Sequence, residues 1–171
     1  MVWSLLCLSI LPVFAAVVFH YFWGAVHELC HLAALKIIFR KDLLDYHIRL
    51  KWHRLEDQNV WVPASITYTL ARGETDAEHG IVAGAPYIIH STAAALFACG
   101  YMFADPVVRV VWMIFWALGA IDLVSAAKTT NPYSDLYHVA ECYNIPIEYI
   151  KRAAYGWATF CFVMGVLLCV G

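Results

Sequence analysis

Charge is what this chain has least of. Only 14% of its 171 residues are Asp, Glu, Lys or Arg, against 63% that are apolar, where an ordinary soluble domain carries ~25% charged residues. The formal net charge is -2, so there is no basic excess, and a nucleic-acid partner is not expected. Paired cysteine spacing is missing too. Cys7, Cys30, Cys99, Cys161 and Cys169 sit in apolar runs, only Cys142 lies in polar sequence, and no C-x-x-C occurs. That pattern excludes a disulfide framework and reads as reduced, core- or lipid-facing thiols. Internal repeats, low-complexity tracts and long linkers are likewise missing, so one domain over 1–171 is expected, with a β-rich insert at about 42–80. The N-terminus is apolar from Met1 without a basic n-region, which argues against a removable signal peptide.

What is present is long apolar sequence. The run to Phe39 exceeds the ~20 residues that cross a ~30 Å hydrocarbon core. It reads as one tilted span from Val13 to Phe39, preceded by an extension over Val2–Leu11 broken near Pro12; two spans would need a reversal between Phe19 and Gly24. Gly84-Ala85-Pro86 opens a second span to about Phe103. Ala104-Asp105-Pro106 is a tight turn, and Val107 to about Ala127 forms a third span. After the turn Asn131-Pro132-Tyr133-Ser134 and a short helix over Asp135–Tyr143, a fourth span covers Ala153–Val170. Between the first two spans, Tyr46–Trp52, Val60–Val62 and Ser65–Leu70 are β-rich, with Glu56-Asp57-Gln58-Asn59 as a turn. This segment either covers the bundle or offers a strand edge to an extended substrate. If 40–80 and 128–152 share one side, ten of the eleven Lys and Arg lie there, Lys36 included and Arg109 excepted. The positive-inside rule then makes that side cytoplasmic. The expected fold class is mainly α: a multi-pass integral membrane helix bundle of about four spans with a small membrane-associated β-hairpin.

Inside the first apolar run stands His27-Glu28-Leu29-Cys30-His31, an H-E-x-x-H sequence. Positions four apart share a helix face, so His27 and His31 could offer two imidazoles to one metal ion. Glu28 could then act as general base toward a metal-activated water, the arrangement of zinc hydrolases. Burying Glu28 in so apolar a run costs at least a few kcal/mol, which is hard to explain unless the carboxylate is used or paired. A third protein ligand is needed. Asp135, Asp122 in the third span and His138 one turn after Asp135 are the candidates, Asp122 being equally suited to an outer role beside a ligand histidine. His20 lies two turns before His27, roughly 10 Å along the axis, too far to share its metal.

In this order of features the chain resembles the site-2 protease family of intramembrane zinc metalloproteases. The resemblance rests on the H-E-x-x-H at His27–His31, the β-rich region 46–70, Ala83-Gly84-Ala85-Pro86 in place of an Ala-Gly-Pro motif, and Asp135 after the Asn131–Ser134 turn. It implies zinc as cofactor, with His27, His31 and Asp135 as ligands and Glu28 as the catalytic base. Three positions depart from the family pattern. Leu136 stands where a Gly usually follows the Asp, Ala85 is inserted, and Ile89 replaces an Asn. His90 or Ser91 would have to supply that polar group, with His90 as a candidate to steady the oxyanion. The implied activity is hydrolysis of a peptide bond in a membrane-spanning substrate near the cytoplasmic face. The partners would be that substrate, the lipid bilayer, and a regulatory membrane partner or a second copy of the chain. A metal carrier or sensor, or a non-catalytic scaffold, is the alternative; neither would need Glu28 for its work.

Overall fold

The computed structural model describes residues 21–51, 53–55, 60–62, 64–100 and 105–170. His20, the N-terminal extension, the Glu56–Asn59 turn and Ala104 lie outside the described residues. Within them the chain forms five helices and two small antiparallel sheets: α1 (21–38), α2 (Asp76–Gly100), α3 (Pro106–Lys128), α4 (Asp135–Cys142) and α5 (Ile147–Val170), with β1 (Leu43–Arg49) paired to β4 (Ser65–Leu70) and β2 (His53–Leu55) paired to β3 (Val60–Val62).

No helix among the described residues is long and apolar enough to cross a membrane. This overturns the expected multi-pass integral membrane bundle of about four spans with its membrane-associated hairpin. Two of the helices begin in polar sequence ahead of their apolar runs, and the helices carry ionisable side chains. α2 starts at Asp76 rather than Gly84 and carries Glu78 in its first turn. α5 starts at Ile147 rather than Ala153, so Glu148, Lys151 and Arg152 fall inside it. Arg109 and Asp122 lie within α3, and α1 holds His27, Glu28, His31 and Lys36.

The chain divides into two compact units, Met1–Arg72 and Gly73–Gly171. In the first, α1 buries Trp23, Glu28, Cys30, His31 and Leu35, with Phe39 buried just past its end, while Phe22, Leu29 and Ile37 face outward. Arg40 ends the helix at φ 37°, a left-handed conformation that costs a β-carbon residue about 1 kcal/mol. The reversal lets Asp42 donate its N–H to the Phe39 carbonyl at 2.6 Å. Arg72, just past β4, then clamps the corner. Its Nε lies 3.0 Å from Asp42 Oδ2 and its guanidinium 5.1 Å from the Phe39 ring centre. β1 and β4 pair with Tyr46 opposite Tyr68, His47 opposite Thr67 and Arg49 opposite Ser65. One strand was expected to run through Tyr46–Trp52; it breaks at Leu50–Lys51, and a second sheet begins at His53.

In the second unit, α3 and α5 pack through Leu123, Ala127, Ala154 and Ala158, with Leu136 of α4 in the same cluster. The three alanines let helix backbones approach closely. α2 opens with a capping box. Thr75 N–H donates to Glu78 Oε2 at 3.0 Å, and Glu78 N–H donates back to Thr75 Oγ1 at 3.3 Å. α2 buries Val82 to Pro86 as a continuous run. A β-carbon on Gly84 would meet Val139 of α4 at 3.5 Å, and one on Gly80 would meet the Tyr143 ring at 2.6 Å. These two glycines, one turn apart, are where α4 lies against α2. α4 ends in a Schellman turn, with Ile145 N–H on the Ala140 carbonyl at 2.8 Å and Asn144 at φ 52°, and Pro146 follows.

Candidate metal centre

The H-E-x-x-H sequence is helical, as its spacing predicts. His27 and His31 stand one turn apart on α1 with ring centroids 4.9 Å apart and planes at 70°. His27 is half-buried, while Glu28 and His31 retain only 8% and 6% of their exposure. A buried carboxylate beside a buried imidazole is expensive for a surface helix. It is the ordinary condition of a hydrolytic centre, where low dielectric strengthens every charge interaction.

Asp135 is placed by a different device. Asn131 makes an Asx turn, its Oδ1 accepting the Tyr133 N–H at 3.1 Å, and its carbonyl accepts the Ser134 N–H at 3.2 Å. Ser134 then adopts the extended N-cap conformation and Asp135 becomes the first residue of α4. A carboxylate at a helix N-terminus is favoured by the macrodipole. The Ser134 hydroxyl makes no capping bond and is buried without a hydrogen-bond partner.

His27, His31 and Asp135 form a group that could bind a metal ion, one ligand atom from each lying within 4.8 Å of the others. Two imidazole nitrogens and one carboxylate oxygen are a donor set that zinc accepts, leaving a fourth position open.

Among the described residues these are the three that come together. Asp122 sits half-buried in α3, one residue before core Leu123, and is not part of the group. His138 instead meets His79 of α2 edge to face, centroids 5.2 Å apart at 88°. The side chains of His90 and Ser91 lie outside the described residues, although their backbone belongs to α2. His79, whose Nδ1 lies 3.2 Å from Glu74 Oε2, has no metal-ligand spacing to mark it in the sequence; the Thr75-x-x-Glu78 box is the signal that puts it in the first turns of a helix rather than in a connector. Cys142, at the far end of α4, has its thiol pushed above the ordinary value by burial, with the negative charges of Asp76, Glu141 and Glu74 adding to the shift.

No protein-family profile, no curated protein and no solved structure matches the chain.

Proposed function

We propose that the protein is a zinc-dependent endopeptidase, related in its catalytic parts to the site-2 proteases. The observation that carries this reading is the His27–His31–Asp135 group with buried Glu28 adjoining it on α1. Zinc, when bound, supplies Lewis acidity toward water and toward the peptide carbonyl. The remaining work belongs to side chains. His27, His31 and Asp135 hold the ion. Glu28, in a dry setting, takes the proton of the attacking water and delivers it to the departing amine.

The test has two arms. Zinc content of the purified chain should be about one per molecule, retained in Asp122→Ala and lost in His27→Ala and Asp135→Ala. Cleavage of a peptide library should require Glu28, while Glu28→Gln keeps its zinc. Bound zinc with cleavage untouched by Glu28→Gln would sink the mechanism. Bound zinc with no cleavage by the wild type would point to a carrier or sensor, and no metal in any form would point to a scaffold.

A further inference from the structure

A second arrangement with catalytic geometry stands in the β region. His53, the first residue of β2, is buried at 9% exposure, and both of its ring nitrogens are engaged. Nδ1 lies 2.6 Å from the Lys51 carbonyl oxygen and Nε2 lies 2.9 Å from Ser65 Oγ at the start of β4. A carbonyl oxygen only accepts, so Nδ1 must carry the hydrogen. In the neutral ring Nε2 then holds a lone pair, and Ser65 must donate its hydroxyl hydrogen to it. This is the nucleophile–base relation of acyl-transfer enzymes. The Lys51 carbonyl takes the orienting place that a carboxylate fills in a full triad.

The chain builds this corner for a local reason. β1 ends at Arg49, the bend at Lys51 turns the backbone, and His53 folds back onto the carbonyl two residues earlier. The β1–β4 register sets Ser65 directly opposite Arg49. Ser65 itself is half-buried, so its hydroxyl is not sealed in a core, and Arg49 and Lys51 are exposed cations close to it in the fold. A serine whose only task was to cap a strand would not need a tautomer-fixed histidine.

We propose that Ser65 is an activated nucleophile with His53 as its general base, accepting an acyl group from an activated ester. In the step, Ser65 Oγ forms a bond to the acyl carbon as the ester C–O bond breaks. The hydroxyl proton passes to His53 Nε2 and from there to the departing alkoxide, so serine plus ester gives acyl-serine plus alcohol. The positive charge of Arg49 and Lys51 favours donors with an anionic leaving group. This centre is independent of the metal group on α1.

The probe is p-nitrophenyl acetate on the full-length chain, reading nitrophenolate release and the acetylated peptide by mass spectrometry. Acetyl should appear on Ser65 in the wild type, be lost from that position in Ser65→Ala, and form about 100-fold more slowly in His53→Gln. It should persist after chelation of metal. In the wild type the rate should level off at alkaline pH instead of climbing in proportion to hydroxide. This profile needs no variant, so the idea remains open to refutation even where a substitution unfolds the hairpin. Absence of acetyl at Ser65, an unchanged rate in a folded His53→Gln, a rate proportional to hydroxide, or loss on chelation would each overturn the proposal.

Discussion

Two pairs of histidines in this chain have nearly the same geometry and quite different origins. His27 and His31 meet at 4.9 Å and 70°, His79 and His138 at 5.2 Å and 88°. The first pair is produced by helical spacing alone, four residues apart on α1. The second is produced by packing, one ring from α2 and one from α4. His79 even has a carboxylate on its Nδ1, from Glu74 at 3.2 Å, which is the habit of a metal-bound imidazole. Yet only the first pair has a third ligand atom converging on it among the described residues. Ring proximity is therefore a poor criterion for a metal site. Convergence of three donors is a better one.

The most severe test of that distinction is Glu28→Gln. It should lower peptide hydrolysis by about 10²–10⁴-fold, the usual worth of a positioned general base, without releasing zinc. Turnover of a peptide substrate and metal analysis on the same preparation check both halves. Next comes the contrast between the pairs themselves. His31→Ala should lose the bound zinc, whereas His79→Ala and His138→Ala should each keep about one zinc per chain. If either of the latter lost it, the two pairs would be equivalent and the criterion of converging donors would be wrong.

The second pair should instead betray itself in stability. Gly80 lies beside His79 where α2 meets α4, and an added β-carbon there would stand 2.6 Å from Tyr143 Cε2 and 3.1 Å from Cys142 Cβ. The Tyr143 ring cannot swing away without cost, because its hydroxyl donates to the Ala77 carbonyl at 3.2 Å. Gly80→Ala should destabilise the fold by about 1–3 kcal/mol, the range for overpacking. Denaturant titration would show it as a lower midpoint with the zinc content unchanged. Tyr143→Phe, which removes only the hydrogen bond, should cost about 0.5–1.5 kcal/mol.

These contrasts also mark what the sequence could and could not say. The α1 site was legible because its information is local: H-E-x-x-H fixes a face within one turn. α4 was legible for the same reason, since the Asn131–Ser134 turn announces a helix starting at Asp135. The β-rich segments could be read from alternation and composition, but their pairing as β1 with β4 and β2 with β3 and the break at Leu50–Lys51 could not, and that break brings His53 to Ser65. Hydropathy locates the apolar runs but not the ends of the helices that contain them, and no helix among the described residues is long and apolar enough to cross a membrane. The Thr75–Glu78 capping box and the polar first turns of α5 extend the helices into sequence that hydropathy assigns to connectors. The meeting of His79 with His138 depends on how α2 packs on α4, which no local pattern encodes.

The smallest expected effect concerns the thiol beside the second pair. Burial raises the Cys142 thiol above its ordinary value, and Asp76, Glu141 and Glu74 raise it further. At a given mildly alkaline pH it therefore holds less thiolate than an unperturbed cysteine, and it should react with iodoacetamide a few-fold more slowly. The sign for stability follows from linkage. The folded state keeps the proton to a higher pH than the unfolded state does. The contribution is thus complete below the ordinary thiol value and is lost as pH rises through the shifted one. Asp76→Asn removes the larger of the electrostatic causes and should speed alkylation of the Cys142 peptide, read by mass spectrometry. Glu74→Gln should speed it less, while also freeing His79 from its carboxylate. If both substitutions left the rate untouched, Asp76 and Glu74 would not act on Cys142, and burial with Glu141 would account for its slow reaction.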